Sequence, residues 1–191
     1  MLTVDADVAR TEERLAGGEL ACPDCDDRLE PWGWARSRVL RSRAGPVTVR
    51  PRRARCAGCG VSHVLLPVFA LVRRADMAEV IGAALTRKAM GAGARPIAVE
   101  LGRPWETVRG WLRRFDRRAG EIRSRFTALL VGLDPDPVPP AEAATPFADA
   151  VAAVIATVRA AATRWPDIGE VSPWWLACAV TGGRLLAPPI P

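Results

Sequence analysis

Cys22-Pro23-Asp24-Cys25 and Cys56-Ala57-Gly58-Cys59, two Cys-x-x-Cys turns separated by thirty residues, decide the reading of this chain. One such turn places two sulfurs on the same side of an ion. Two of them complete a tetrahedral shell of thiolates, the arrangement that zinc takes in structural sites. The residues between them are enough for two strands and a loop, which would carry the turns together. Pro23 suits the first turn, and Gly58 and Gly60 supply left-handed backbone angles to the second. In a reducing compartment, paired motifs of this kind point to metal before disulfide. A full shell leaves no position open for water, so structural Zn2+ is expected on Cys22, Cys25, Cys56 and Cys59. A unit of about fifty residues with few large apolar side chains also needs such a staple to stay folded. His63, the single histidine, either replaces a cysteine or sits beside the metal, packing or touching a carbonyl. Cys178, beside Trp174 and Trp175, reads as a small core residue.

Working outward from the cysteines, residues 3–16 predict a short amphipathic helix through Val4, Val8 and Leu15, stopped by Gly17-Gly18. Residues 29–40 and 46–55 predict two strands around the turn Arg43-Ala44-Gly45-Pro46. Val61 to Val68 predicts a third. At Asp76 the apolar period changes from strand to helix. Asp76-Met77-Ala78-Glu79 resembles a capping box, and Met77, Val80, Ile81, Ala84, Leu85 and Ala89 share one helical face. Gly91-Ala92-Gly93 ends that helix. Another spans about 95–101, and a third starts at Pro104, a favoured first-turn position. Its apolar residues keep helical spacing through Val108, Trp111, Leu112, Phe115, Ala119, Ile122, Phe126 and Leu130, which predicts one rod of about 40 Å unless Gly120 breaks it. Asp134 to Pro140 reads as a linker. Thr145-Pro146 and Ser172-Pro173 each begin a further helix, ending near Trp165 and at Gly182-Gly183. Pro188 to Pro191 is expected to lack regular structure.

The segment 94–114 has the spacing of a helix-turn-helix. Small Ala98 lets two helices cross closely, Gly102 permits the sharp turn, and Ile97, Leu101, Val108 and Trp111 form the core between them. Arg103 departs from the pattern, since an aliphatic residue is usual there. In this motif the second helix enters the major groove with its N-terminal residues at base edges. Arg103, Trp105, Glu106, Thr107, Arg109 and Arg113 are then the candidate DNA contacts of that helix. Arg109 or Arg113 would pair with guanine, Glu106 with cytosine, and Trp105 would pack on sugar or a thymine methyl. Arg114, Arg117 and Arg118 would suit phosphates, with Arg52 and Arg53 adding a grip from the cysteine-bounded hairpin.

The charge supports a polyanionic partner. The net charge is +6, and of the 27 basic residues only Lys88 is not arginine. Between Arg28 and Arg55 nine arginines face one acid, Glu30, and between Arg95 and Arg125 nine arginines face Glu100, Glu106, Asp116 and Glu121. From Asp134 onward six acids outnumber three arginines. The positive charge therefore belongs to the first two thirds, where the motifs lie. The first residues carry Asp5 and Asp7 and no apolar segment, so no secretory leader is expected. No stretch approaches the ~20 apolar residues of a membrane span; uncharged runs of the tail such as Ala150 to Val158 are far too short. A cytoplasmic, nucleoid-associated protein is the expectation.

Cysteine ribbon followed by helix-turn-helix resembles the N-terminal DNA-binding part of bacterial insertion-sequence transposases. It is also similar to uncharacterised helix-turn-helix proteins of GC-rich bacteria. Cys22, Cys25, the Arg50–Arg55 strand, Cys56 to Gly60 and Arg95–Arg114 carry the resemblance, over about residues 20–120. It implies an α+β chain: a small β zinc ribbon, an all-α helix-turn-helix region and C-terminal helices. The expected divisions are 1–19, 20–70, 75–132, a Pro-rich linker 133–145, and 146–191. Transposases of this kind need a carboxylate-rich catalytic domain binding two metal ions. After residue 125 only Asp134, Asp136, Glu142, Asp149, Asp167 and Glu170 remain. No enzymatic activity and no small-molecule substrate are therefore expected. Double-stranded DNA is the expected partner, with a homodimer formed through the long third helix or the helix at 146–165. The reading is of a transcriptional regulator or a domesticated transposase module. The alternatives are an inactive transposase fragment and a zinc-stabilised protein-interaction module docking through Trp165, Trp174 and Trp175.

Overall fold

A computed structural model describes residues 1–134, 136–138 and 140–187 of the chain. The chain is mixed α+β: six strands in two small sheets near the N-terminus, and seven α-helices among the described residues. The strands are β1 (Leu2–Val4), β2 (Leu29–Trp34), β3 (Arg38–Arg41), β4 (Pro46–Val49), β5 (Arg52–Cys56) and β6 (Ser62–Pro67). The helices are α1 (Val8–Ala16), α2 (Ala78–Ala89), α3 (Ala94–Leu101), α4 (Trp105–Asp116), α5 (Ala119–Leu133), α6 (Pro146–Arg164) and α7 (Pro173–Val180). The proline-rich end beyond residue 187 lies outside the described residues, as do two prolines of the expected linker.

The larger sheet has the order β1-β6-β5-β2. β6 pairs antiparallel with β5, and β5 with β2, while β1 joins β6 in parallel, Leu2 opposite Leu65. This corrects the expected helix from residue 3: the first turn is a strand, and α1 begins only at Val8, where the Asp7 carboxylate accepts from the Ala9 N–H at 2.8 Å. The expected two-strand hairpin also breaks in the middle. Gly33, at φ +88, makes the register shift between Pro31 and Trp34, and Pro51 has no N–H to continue the ladder. Beyond that break β3 and β4 form a separate two-stranded sheet. It swings away from β2 and β5, and Leu40 and Val49 pack into the helical core instead.

Two apolar clusters result. The smaller joins Val4, Leu15, Leu20, Cys22, Leu29, Ala54, Cys56 and Leu65 under the four-stranded sheet. The larger gathers the inner faces of α2 to α7, with Ile81, Leu85, Ile97, Phe115, Ile122 and Phe126 fully enclosed. Gly82 is a forced choice in it. A Cβ there would lie 2.0 Å from the Trp174 ring, so only glycine lets α7 lie against α2.

Asp76 does not cap α2. Met77 holds the cap position and makes no side-chain cap bond. Asp76 is instead 2% exposed and takes two guanidinium groups, Arg41 from β3 at 2.5 Å and Arg103 from the α3–α4 turn at 2.6 Å. The expected 40 Å rod is likewise two helices. The break falls at Arg117-Arg118 rather than Gly120. There the Arg118 guanidinium donates to the carbonyls of Arg184 and Ala187 and pairs with Glu121, a set of bonds that a straight helix would not satisfy. α5 then packs along α6, and Thr157 Oγ1 donates to the Phe126 carbonyl at 2.9 Å. α6 begins as expected at Thr145-Pro146, the Thr145 hydroxyl accepting from the Ala148 N–H. Contrary to the sequence count, α6 is long and apolar enough to cross a membrane, but more than half of it is buried inside the protein.

Candidate metal centre and nucleic-acid interface

The two cysteine turns meet because β2 and β5 pair with Leu29 opposite Cys56. Backbone bonds close each turn, Asp26 N–H to Cys22 O at 2.9 Å and Gly60 N–H to Cys56 O at 3.2 Å. Asp26 and Gly60 hold positive φ, +60 and +72, to make them. The Sγ atoms of Cys22, Cys25, Cys56 and Cys59 all lie within 4.8 Å of one another, with Cys22–Cys59 at 3.8 Å and Cys25–Cys56 at 3.3 Å. Four thiolates about 2.3 Å from one ion in a tetrahedron stand roughly 3.8 Å apart. The donor set and its spacing therefore fit a thiophilic divalent ion. The Cys59 N–H, donating to Cys56 Sγ, leads the effects that bring the Cys56 thiol down to about 7, so it is ready to lose its proton to a metal. Cys22 and Cys56 are buried, and Cys25 and Cys59 face out.

His63 is the neighbour that sequence left open. It is 2% exposed, with Nε2 3.4 Å from Cys22 Sγ and Nδ1 3.1 Å from the Met1 amino nitrogen. With Nδ1 accepting from that amine, Nε2 keeps its proton and donates to the cysteine sulfur. Burial, then the positive charge on the Met1 amine, hold the imidazole below its ordinary range. His63 is thus placed to orient a ligand, the usual task of a group beside a metal shell. Cys178 is remote from the cluster. It is buried, donates to the Ala70 carbonyl, and burial pushes its thiol up to about 12.

The second candidate surface lies on α3 and α4. Gly102 sits between them at φ +61 and caps α3 through its N–H to the Val99 carbonyl. Ile97, Ala98, Val108, Trp111, Leu112 and Phe115 are buried between and beneath the two helices. α4 therefore turns Trp105, Glu106, Arg109, Arg113 and Arg117 outward, with Thr107 and Arg114 half-buried. Trp105 is flanked by guanidiniums, Arg95 at 5.7 Å and Arg109 at 5.5 Å from its ring centre, an arrangement that stiffens the rim of the face.

The predicted arginines divide into two groups. Arg103 is drawn inward: it pairs with Asp76 and donates to the Ser42 carbonyl, and its side chain is 16% exposed. Arg103 there serves Asp76, a buried carboxylate that needs a cationic partner. Arg118 is 10% exposed and fully engaged with Glu121 and the two carbonyls beyond α7; its hydrogen bonds hold the Glu121 carboxyl below its usual range. Arg52 is 14% exposed, paired with Glu12 and donating to the Gly33 carbonyl. Those three hold the fold together rather than facing a ligand. Arg53 donates to Ser62 at the sheet surface, and Arg114 to the Gly110 carbonyl. Glu100, Asp76, Glu121 and Asp149 take other arginines. Arg109, Arg113 and Arg117 have neither a side-chain hydrogen bond nor an ion pair among the described residues, Arg109 resting on the Trp105 ring.

No family model, curated protein or solved structure matches the chain.

The tryptophans of the alternative docking reading differ in their surroundings. Trp174 is 7% exposed against Gly82. Trp175 lies half-buried, 6.2 Å from the Phe69 ring. Trp165 alone of the three is exposed. α5 and α6 pack along each other. Two features escaped the sequence reading. Trp32 and Trp34 on β2 are exposed, with Arg55 and Arg52 over their rings at 4.8 and 4.9 Å. Asp76, the joint between β3 and the α3–α4 turn, was visible only as a capping residue.

Proposed function

We propose that this chain binds double-stranded DNA, with α3 and α4 acting as a helix-turn-helix and the four cysteines holding a structural zinc ion in a ribbon. The outer face of α4 carries the reading: Arg109, Arg113 and Arg117 stand exposed and unpaired on a helix whose opposite face is buried. Keeping three like charges on one helix disfavours the isolated protein, and a polyanion relieves it. Trp105 and Glu106 at the start of α4 sit where a major-groove helix meets base edges. Four thiolates fill the zinc shell, so the ion serves folding and not a reaction. Cys22, Cys25, Cys56 and Cys59 would hold it, with His63 steadying Cys22. The chain then works as a transcriptional regulator or a domesticated transposase module, its specificity in Trp105, Glu106, Arg109 and Arg113.

The direct test selects bound sequences from a random duplex library, using the full chain with zinc quantified in parallel. A recurrent short motif recovered by protein carrying one zinc per chain is the expected outcome. A pool that stays random after repeated rounds removes the sequence-reading role, and protein that folds without zinc removes the ion.

A further inference from the structure

A cavity of about 650 Å³ opens between the end of α2, the flank of α4 and the segment that leads into α6. Ala89, Ala143, Ala144 and Ala148 give its apolar side, and Leu112 and Phe147 reach it only at their edges, being 7% and 5% exposed. Lys88, Arg109 and Arg113 line it, against one carboxylate, Asp116. None of those cations has an ion pair among the described residues, so their charge is available to an occupant. Apolar walls with a few converging polar groups, in a space of several hundred Å³, are the make-up of small-molecule sites. The chemistry selects the occupant. A carboxylate accepts charge-assisted bonds from guanidinium and ammonium, and an apolar body displaces water from the alanine-lined wall.

We propose that this cavity binds a small amphipathic carboxylate, its head held by Lys88, Arg109 and Arg113 and its body against Ala89, Ala143 and Ala148. Because Arg109 and Arg113 also belong to the face of α4 assigned to DNA, carboxylate and DNA exclude each other. The exclusion rests on the DNA reading; the ligand site does not.

The probe is decanoate, titrated calorimetrically into the zinc-loaded full chain, with decanol as the uncharged control. Saturable binding of decanoate and much weaker binding of decanol are expected. Lys88→Ala weakens decanoate by about tenfold, the loss of one charge-assisted contact. Ala148→Trp, at the cavity wall, abolishes the heat by filling the space. Lys88 is exposed, so its variant keeps the fold even if the tryptophan variant does not. Absence of saturable heat, equal affinity for decanol, or an unchanged Lys88→Ala overturns the site. In parallel, decanoate is expected to release the chain from a DNA duplex at the concentration that fills the cavity. Filling without release overturns the exclusion. A chain that binds decanoate but no DNA upholds the ligand site and removes the DNA reading instead.

Discussion

The helical part of the molecule encloses Phe115, Phe126, Ile81, Leu85, Ile97 and Ile122 completely, whereas the sheet between β1 and β6 encloses Leu15, Leu29 and Leu65 and little else that is large. Of the eight buried apolar members of the sheet cluster, two are the cysteines Cys22 and Cys56 themselves. Burial at ~25 cal/mol per Å² can hold the first region unaided and cannot easily hold the second. The two regions are therefore built on different forces, although one chain makes both. A separate joint, electrostatic, holds the β3–β4 hairpin to the helical region. Asp76 ties the β3–β4 hairpin to the α3–α4 turn through Arg41 and Arg103, and Leu40 and Val49 add an apolar contact on the same side.

The largest expected effect breaks the sheet alone. Removing the metal with a chelator should unfold β2, β5 and β6, since structural zinc contributes roughly 10–16 kcal/mol in small zinc domains. Hydrogen exchange should then show fast amides across residues 20–34 and 52–67 and retained protection in α2, α5 and α6. Equal loss in both regions would erase the difference drawn above. The converse is Phe126→Ala, which empties the centre of the helical cluster and should cost ~3–5 kcal/mol. Thermal unfolding should shift downward while one metal ion per chain is retained. Asp76→Ala attacks the joint. It strands the buried Arg103 guanidinium and should cost about 3 kcal/mol. Exchange at β3, β4 and the residues around Gly102 should rise together; a rise in only one of these places would show that Asp76 is not a shared partner.

Much of this was legible in the residues. The meeting of Cys22, Cys25, Cys56 and Cys59 follows from two local motifs and one hairpin, all strong signals in a short stretch. The end of α3 and the starts of α4, α6 and α7 follow from Gly102, Pro104, Thr145-Pro146 and Ser172-Pro173, because capping is local chemistry. What could not be read depends on partners far along the chain. β1 is a strand only because β6 lies beside it, sixty residues later. The break at Arg117-Arg118 depends on carbonyls of Arg184 and Ala187 that no helical period announces. Asp76 looked like a cap for the same reason. The bend at Gly33 and Pro51 was different, since both residues are visible breakers inside an otherwise strand-like pattern, and they decide where the hairpin divides.

The arginines show the same contrast in miniature. A count of charges treats Arg52, Arg103, Arg118, Arg109 and Arg113 alike. The fold engages the first three and leaves the last two free, so only the free ones should alter binding without altering stability. The measurement that tests this most directly is the salt dependence of duplex binding by the zinc-loaded chain, compared with Arg109→Ala and Arg113→Ala. The wild-type chain should bind, with the logarithm of its affinity falling linearly as the logarithm of salt rises. Each substitution should cost ~1–3 kcal/mol of binding at an unchanged melting temperature. A wild-type chain that retards no duplex even at low salt, or variants that bind as well as it does, would contradict the assignment of α4 to DNA.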